Sequence, residues 1–84
     1  MTGENSQTIH WLSAYDVAVV MKQLRTQASL TQQQLAQKLE VDRDWINGVE
    51  RGRYILRLPE FLRWCHACSA DPEMVISALT EPAA

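Results

Sequence analysis

Between Leu30 and Gly52 the chain runs LTQQQLAQKLEVDRDWINGVERG, and this stretch leaves few ways to fold. Two short segments carry apolar residues at helical spacing, and the residues between them suffice only for a turn. Thr31 is placed as an N-cap. Gln34, three residues on, can return a bond to the Thr31 backbone amide, the reciprocal arrangement of a capping box. Leu30 and Leu35 flank that cap as a hydrophobic staple. Leu35, Ala36 and Leu39 then form one stripe, and the small Ala36 at its centre lets another helix approach closely. After the turn at Glu40-Val41-Asp42, Asp42 is placed to cap a second helix, and Val41 with Ile46 repeats the staple. Ile46 and Val49 face inward, which puts Arg43, Asp44, Asn47 and Gly48 on the outer surface. Gly52 stands just past the helix end, where a residue without a β-carbon is favoured. Asn47-Gly48 is also a hairpin-turn pair. The helical spacing of Ile46 and Val49 across it argues for helix, with Gly48 costing about 1 kcal/mol relative to Ala.

The flanking sequence supplies further helices. Ser13 and Asp16 form another capping-box pair with Leu12 and Val17 as staple, and Val17, Met21 and Leu24 face a core in a helix ending near Ala28. Val19 and Val20 add apolar surface that either covers the N-terminal arm around Trp11 or meets another subunit. Pro59 suits the start of a fourth helix whose inward residues are Phe61, Leu62, Cys65 and Cys68. Asp71 caps and Pro72 opens a fifth, followed by Val75, Ile76 and Leu79. The expected organisation is a flexible arm over 1–12, one all-α domain over 13–80 and a frayed end over 81–84. A chain of 84 residues buries only about 60–65% of its unfolded surface, so pairing with a second copy would add stability. It contains no apolar run long enough for a membrane span and no basic-then-apolar leader, so the expectation is a soluble, cytoplasmic protein.

Two short helices joined this tightly serve in proteins mainly to place the second helix in the DNA major groove, although an ordinary small bundle can contain such a pair. The chain resembles the XRE/Cro family of helix-turn-helix transcriptional regulators. Leu24-Arg25, Leu30-Thr31-Gln32, Leu35-Ala36, Ile46 and Val49-Glu50-Arg51-Gly52 carry the resemblance, in register and without gaps from about Val17 to Leu79. It implies a lambda-repressor-like fold of five helices, the third being the reading helix, and binding of double-stranded operator DNA as a homodimer. It further implies that Gln32 hydrogen-bonds a backbone phosphate at a helix N-terminus, and that Arg51 and Arg53 make phosphate contacts. Arg25 and Glu50 match a structural ion pair that ties helix 1 to the end of helix 3. Arg43, Asp44 and Gly48 fall at base-reading positions. Arg43 can pair two bonds to guanine O6 and N7, and Asp44 can accept from cytosine N4 but repels phosphate. Gly48 has no side chain to read with, a departure from the family pattern for which Asn47 could compensate.

Net charge is −2, which is not the gross basicity of many nucleic-acid binders. Its distribution matters more. All 8 basic residues fall between 17 and 69, against Glu40, Asp42, Asp44, Glu50 and Glu60, which leaves that block at +3 (8 minus 5). The arginines at 43, 51, 53 and 57 suffice for a few phosphate contacts, with affinity falling as salt rises.

Three further features have competing readings. Trp45 could touch a sugar or thymine methyl, or pack over helix 2 as peripheral core, which is favoured. Cys65-His66-Ala67-Cys68 offers three possible ligands where a closed zinc site needs four, so buried structural thiols are expected and no metal or cofactor. Tyr54-Ile55-Leu56, with Leu58, is too apolar to leave wet. It either forms a dimer interface or folds back as a lid. Nothing resembles a nucleophile with its base, a phosphate loop or paired carboxylates, so a non-enzyme is expected. The favoured reading is a small transcriptional regulator, with an autoregulator in a mobile element, restriction or toxin–antitoxin setting as one context. The other is a protein-interaction module, such as an antitoxin or adaptor, docking a partner protein through the Tyr54–Leu56 loop.

Overall fold

A computed structural model describes residues 14–80, which form five helices and no strand. These are α1 (Ala14–Gln27), α2 (Gln32–Leu39), α3 (Arg43–Glu50), α4 (Leu58–Ala67) and α5 (Pro72–Thr80). The arm over 1–12, with Trp11, the Ser13 half of the first capping box, and the end over 81–84 lie outside the described residues.

Local chemistry sets the helix ends. The Thr31 hydroxyl accepts from the Gln34 N–H at 3.0 Å and the Gln34 side chain accepts from the Thr31 N–H at 2.9 Å, so the expected capping box starts α2. Asp42 occupies the N-cap of α3 with extended backbone, but its side chain makes no capping bond. The first turn is closed by the backbone instead, the Asp42 carbonyl taking the Trp45 N–H at 3.0 Å. Glu60 accepts from the Arg57 N–H at 2.8 Å at the start of α4, and Asp71 from the Glu73 N–H at 3.0 Å at the start of α5.

Four helices end alike. Ser29, Glu40, Gly52 and Ser69 take left-handed backbone with φ of 60°, 59°, 75° and 57°. The amide of the next residue then closes back onto the helix: Leu30 to Arg25, Val41 to Ala36, Arg53 to Gly48 and Ala70 to Cys65, at 2.8–3.1 Å. Only Gly52 advertised this in the sequence. The other three carry a β-carbon in a region that disfavours one.

The core forms where α3 packs on both α1 and α2, with α4 behind α2 and α5 against α4 and α1. Met21, Leu35, Ile46, Trp64 and Cys65 have no exposed surface, and Ala18, Ala36 and Val49 almost none. Trp64 is the largest of these side chains, and its indole N–H donates to the Met21 carbonyl at 3.1 Å. Leu62 and Ile76, expected inside, are 43% and 44% exposed. The inward stripe of α4 is Phe61, Trp64, Cys65 and Cys68, and one step of helical rotation carries Leu62 away from it. Trp45 is partly buried against the core, its ring centroid 6.2 Å from that of Trp64, which is the peripheral packing expected of it. Arg63 donates to the Leu39 carbonyl at 2.8 Å and so ties α4 to the end of α2.

Both thiols are free and buried. Burial pushes Cys68 up to about 11, with Cys65 adding to it, and burial also raises Cys65, helped by the Asp71 carboxylate. A thiol raised in the folded state stabilises fully below its ordinary value of 9.0, and that contribution is lost as pH climbs toward about 11. Denaturant titrations from pH 8 to 11 should therefore show a steeper loss of stability for the wild-type chain than for Cys68→Ala. Glu40→Gly removes the left-handed penalty and a negative charge at a helix C-terminus. Unfolding free energy should rise by about 0.5–1 kcal/mol, seen as a melting temperature higher by a few degrees.

Candidate nucleic-acid interface

One side of α3 is fastened into the monomer. Ile46 and Val49 are in the core, and Glu50 holds Arg25 through two bonds, Nε to Oε2 at 2.6 Å and Nη2 to Oε1 at 3.0 Å. The Arg25 and Glu50 side chains are only 11% and 3% exposed, so this expected ion pair is an internal one. The remaining guanidinium nitrogen, Nη1, donates to the Leu30 carbonyl at 2.8 Å, just ahead of α2. One side chain thus joins α1, the start of α2 and the end of α3.

Gln32 extends this group to the surface. Its amide nitrogen donates to Glu50 Oε1 at 3.0 Å and to Asn47 Oδ1 at 3.3 Å, and its oxygen accepts from Arg43 Nη1 at 3.1 Å. The resemblance marked Gln32 only for phosphate. Its bridging between α2 and α3 carries no signal in a single sequence, because it depends on the angle at which the two helices cross. Both of its N–H groups are engaged within the monomer, the one to Asn47 more weakly.

The outward side of α3 presents Arg43, Asp44 and Asn47, as the spacing predicts. Asp44 is almost fully exposed and stands 3.8 Å from the half-exposed Arg43. Asn47 is half-buried beside Gln32. Gly48 differs: it is buried. The ring of Tyr54 lies over it, so a β-carbon at position 48 would press on Cε2 and come within 2.7 Å of Cδ2. The expectation that Gly48 belongs to the outer surface is therefore corrected. The glycine makes a notch, and a loop residue fills it.

Beyond α3, Arg51 and Arg53 are exposed, on either side of Gly52. The loop that follows does not fold as a lid. Ile55 is 86% exposed and Leu58 63%, whereas Leu56 turns in towards Val17, Phe61 and Leu79. Tyr54 packs on α3 and is 49% exposed, apart in direction from its apolar neighbours. Among the described residues no three His, Cys, Asp or Glu side chains come together as a metal site would require, and no helix is long and apolar enough to cross a membrane.

A short helix locked on one side, with arginines and amides on the other, is the arrangement of a helix-turn-helix unit. The sequence profile of the helix-turn-helix domain matches residues 16–76. The chain belongs to this family, a family of DNA-binding regulators, in line with its resemblance to XRE/Cro proteins. Among solved structures it is similar to the restriction-modification controller protein C.AhdI from Aeromonas hydrophila, at 29% identity and a TM-score of 0.68, over 74% of this chain and 94% of that one. The clp gene regulator ClgR from C. glutamicum shares the fold at 21% identity and a TM-score of 0.75, over 83% of this chain and 91% of that one. So does the controller C.Esp1396I, solved as a tetramer with its natural 35 base-pair operator, at 24% identity and a TM-score of 0.72, over 83% and 92%. No protein with a curated description matches the sequence significantly.

Removing one partner of the internal pair leaves the other charge buried and unpaired. Arg25→Ala should lower the unfolding free energy by about 3–5 kcal/mol in denaturant titration. The double replacement Arg25→Met with Glu50→Leu should cost less than that single change.

Proposed function

We propose that this protein is a sequence-specific transcriptional regulator that binds a palindromic operator as a homodimer, with α3 in the major groove, and works in the cytoplasm. The supporting observation is the asymmetry of α3: Ile46, Val49 and Glu50 are held inside the monomer while Arg43, Asp44 and Asn47 remain outside. The operator complex of the similar controller C.Esp1396I agrees with this reading. In it Arg43 is the guanine reader, kept extended by the Gln32 oxygen. Asp44 and Asn47 stand ready for cytosine or adenine edges. Arg51 and Arg53 contact phosphates, and Gln32 does so by exchanging its longer bond to Asn47 for one to a phosphate oxygen. The exposed Ile55 and Leu58, with the partly buried Leu56 behind them, form the contact to the second copy, with half-sites about 34 Å apart. Two of the similar structures are restriction-modification controllers, which favours an autoregulator in such a setting.

The exposure of Ile55 also suits a second reading, in which the loop docks a partner protein and DNA is not the target. Duplex titrations separate the two. Random-sequence duplex should bind at low salt, and its affinity should fall as salt rises. Replacing both Arg51 and Arg53 by Ala should reduce the log–log salt slope by about 2. Arg43→Ala should relax preference at one base pair per half-site, by about 1–3 kcal/mol. A chain that binds no duplex even at low salt would leave only the docking reading.

A further inference from the structure

We infer that Tyr54 is a base-contacting residue of the operator surface, seated in the notch that Gly48 leaves in the reading helix. The inference deepens the DNA-binding reading above and rests on it. Position 48 lies one turn beyond Asp44 and next to Asn47, on the side of α3 turned away from Ile46 and Val49, where the Tyr54 ring covers it. At that place the helix has no side chain. A side chain from the following loop stands there instead. The loop is pinned for this by the Arg53 N–H, which bonds the Gly48 carbonyl at 2.9 Å, so the residue after Arg53 is returned over the helix it has just left. The edge of the ring, from Cδ2 to Cζ, then covers the glycine.

Nothing in the monomer's own packing requires a tyrosine at this point. The ring is half exposed, lies outside the core, and its hydroxyl has no hydrogen-bond partner among the described residues. What the ring offers is an apolar plate with a polar tip, held against a backbone that is itself to enter a groove. That combination suits the major-groove edge of a thymine-containing pair, with the plate against the C5-methyl and the hydroxyl donating to a base acceptor. The glycine that seemed to weaken readout thus transfers it from the helix to the loop. The sequence grouped Tyr54 with Ile55 and Leu56 as either a subunit contact or a lid. In the structure the three differ in placement: Tyr54 packs on α3, Ile55 extends into solvent and Leu56 turns towards α1, α4 and α5.

The test is enrichment of bound sites from a random duplex pool with the wild-type chain, Tyr54→Ala, Tyr54→Phe and Gly48→Ala. Sedimentation and thermal melting on each establish that it is folded. Tyr54→Ala is expected to lose preference at one position per half-site and to bind the wild-type site about fivefold or more weakly, with affinity for random duplex unchanged. Tyr54→Phe keeps the thymine preference, because the plate remains. Gly48→Ala, whose methyl dislodges the ring, loses preference at the same position as Tyr54→Ala. An unchanged enriched site for Tyr54→Ala overturns the inference, as does a loss equal for all sequences or a change in sedimentation. Those results leave the regulator reading intact if the wild-type chain enriches a site. A wild-type chain that enriches none overturns both.

Discussion

The placement of α3 depends on the Arg25 guanidinium. From a position on α1 it touches the end of α3 through Glu50 and the approach to α2 through the Leu30 carbonyl. Apolar packing alone would hold α2 and α3 together, yet contacts among Leu35, Ala36, Ile46 and Val49 tolerate sliding and rotation. A forked set of charged bonds does not, because its donors have fixed directions. An internal ion pair is a poor source of stability, since both groups lose water to form it. Its contribution here is directional: it sets the angle at which α3 lies against α1 and α2.

Much of the fold could be read from residue order because its determinants are local. Thr31 and Gln34 cap each other three residues apart, Pro59 and Pro72 sit in first turns, and the stripes of α2 and α3 repeat at helical spacing. What stayed hidden depends on partners far along the chain. Trp64 fills the centre of the core, but nothing around it in sequence distinguishes it from Leu62, which lies outside. Ser29, Glu40 and Ser69 adopt a glycine-like backbone without being glycine, so those helix ends carried no compositional signal. Asp42 had the right residue type for a cap, and the backbone closes the first turn instead.

The same division runs through the candidate interface. Gln32, Arg43, Arg51 and Arg53 were marked as candidates by their places in the family resemblance. Gln32's other partners and the burial of Gly48 follow from how α2 crosses α3 and how the loop after Gly52 returns. A hole in a side-chain pattern was legible; the ring that fills it was not, since five residues separate the two. The net charge also looks different in three dimensions. Glu50 is neutralised inside the molecule by Arg25, so neither of them contributes to the field at the surface, and Arg43, Arg51 and Arg53 remain exposed at and beyond α3.

The contact between Trp45 and Trp64 has an optical consequence. Two indoles whose centres are 6.2 Å apart and whose planes are tilted by 54° are close enough for their excited states to interact. One ring rides on α3 and the other is sealed at the centre of the fold. A displacement of α3 that changes their spacing or tilt alters the near-ultraviolet circular dichroism of the interior, without a dye.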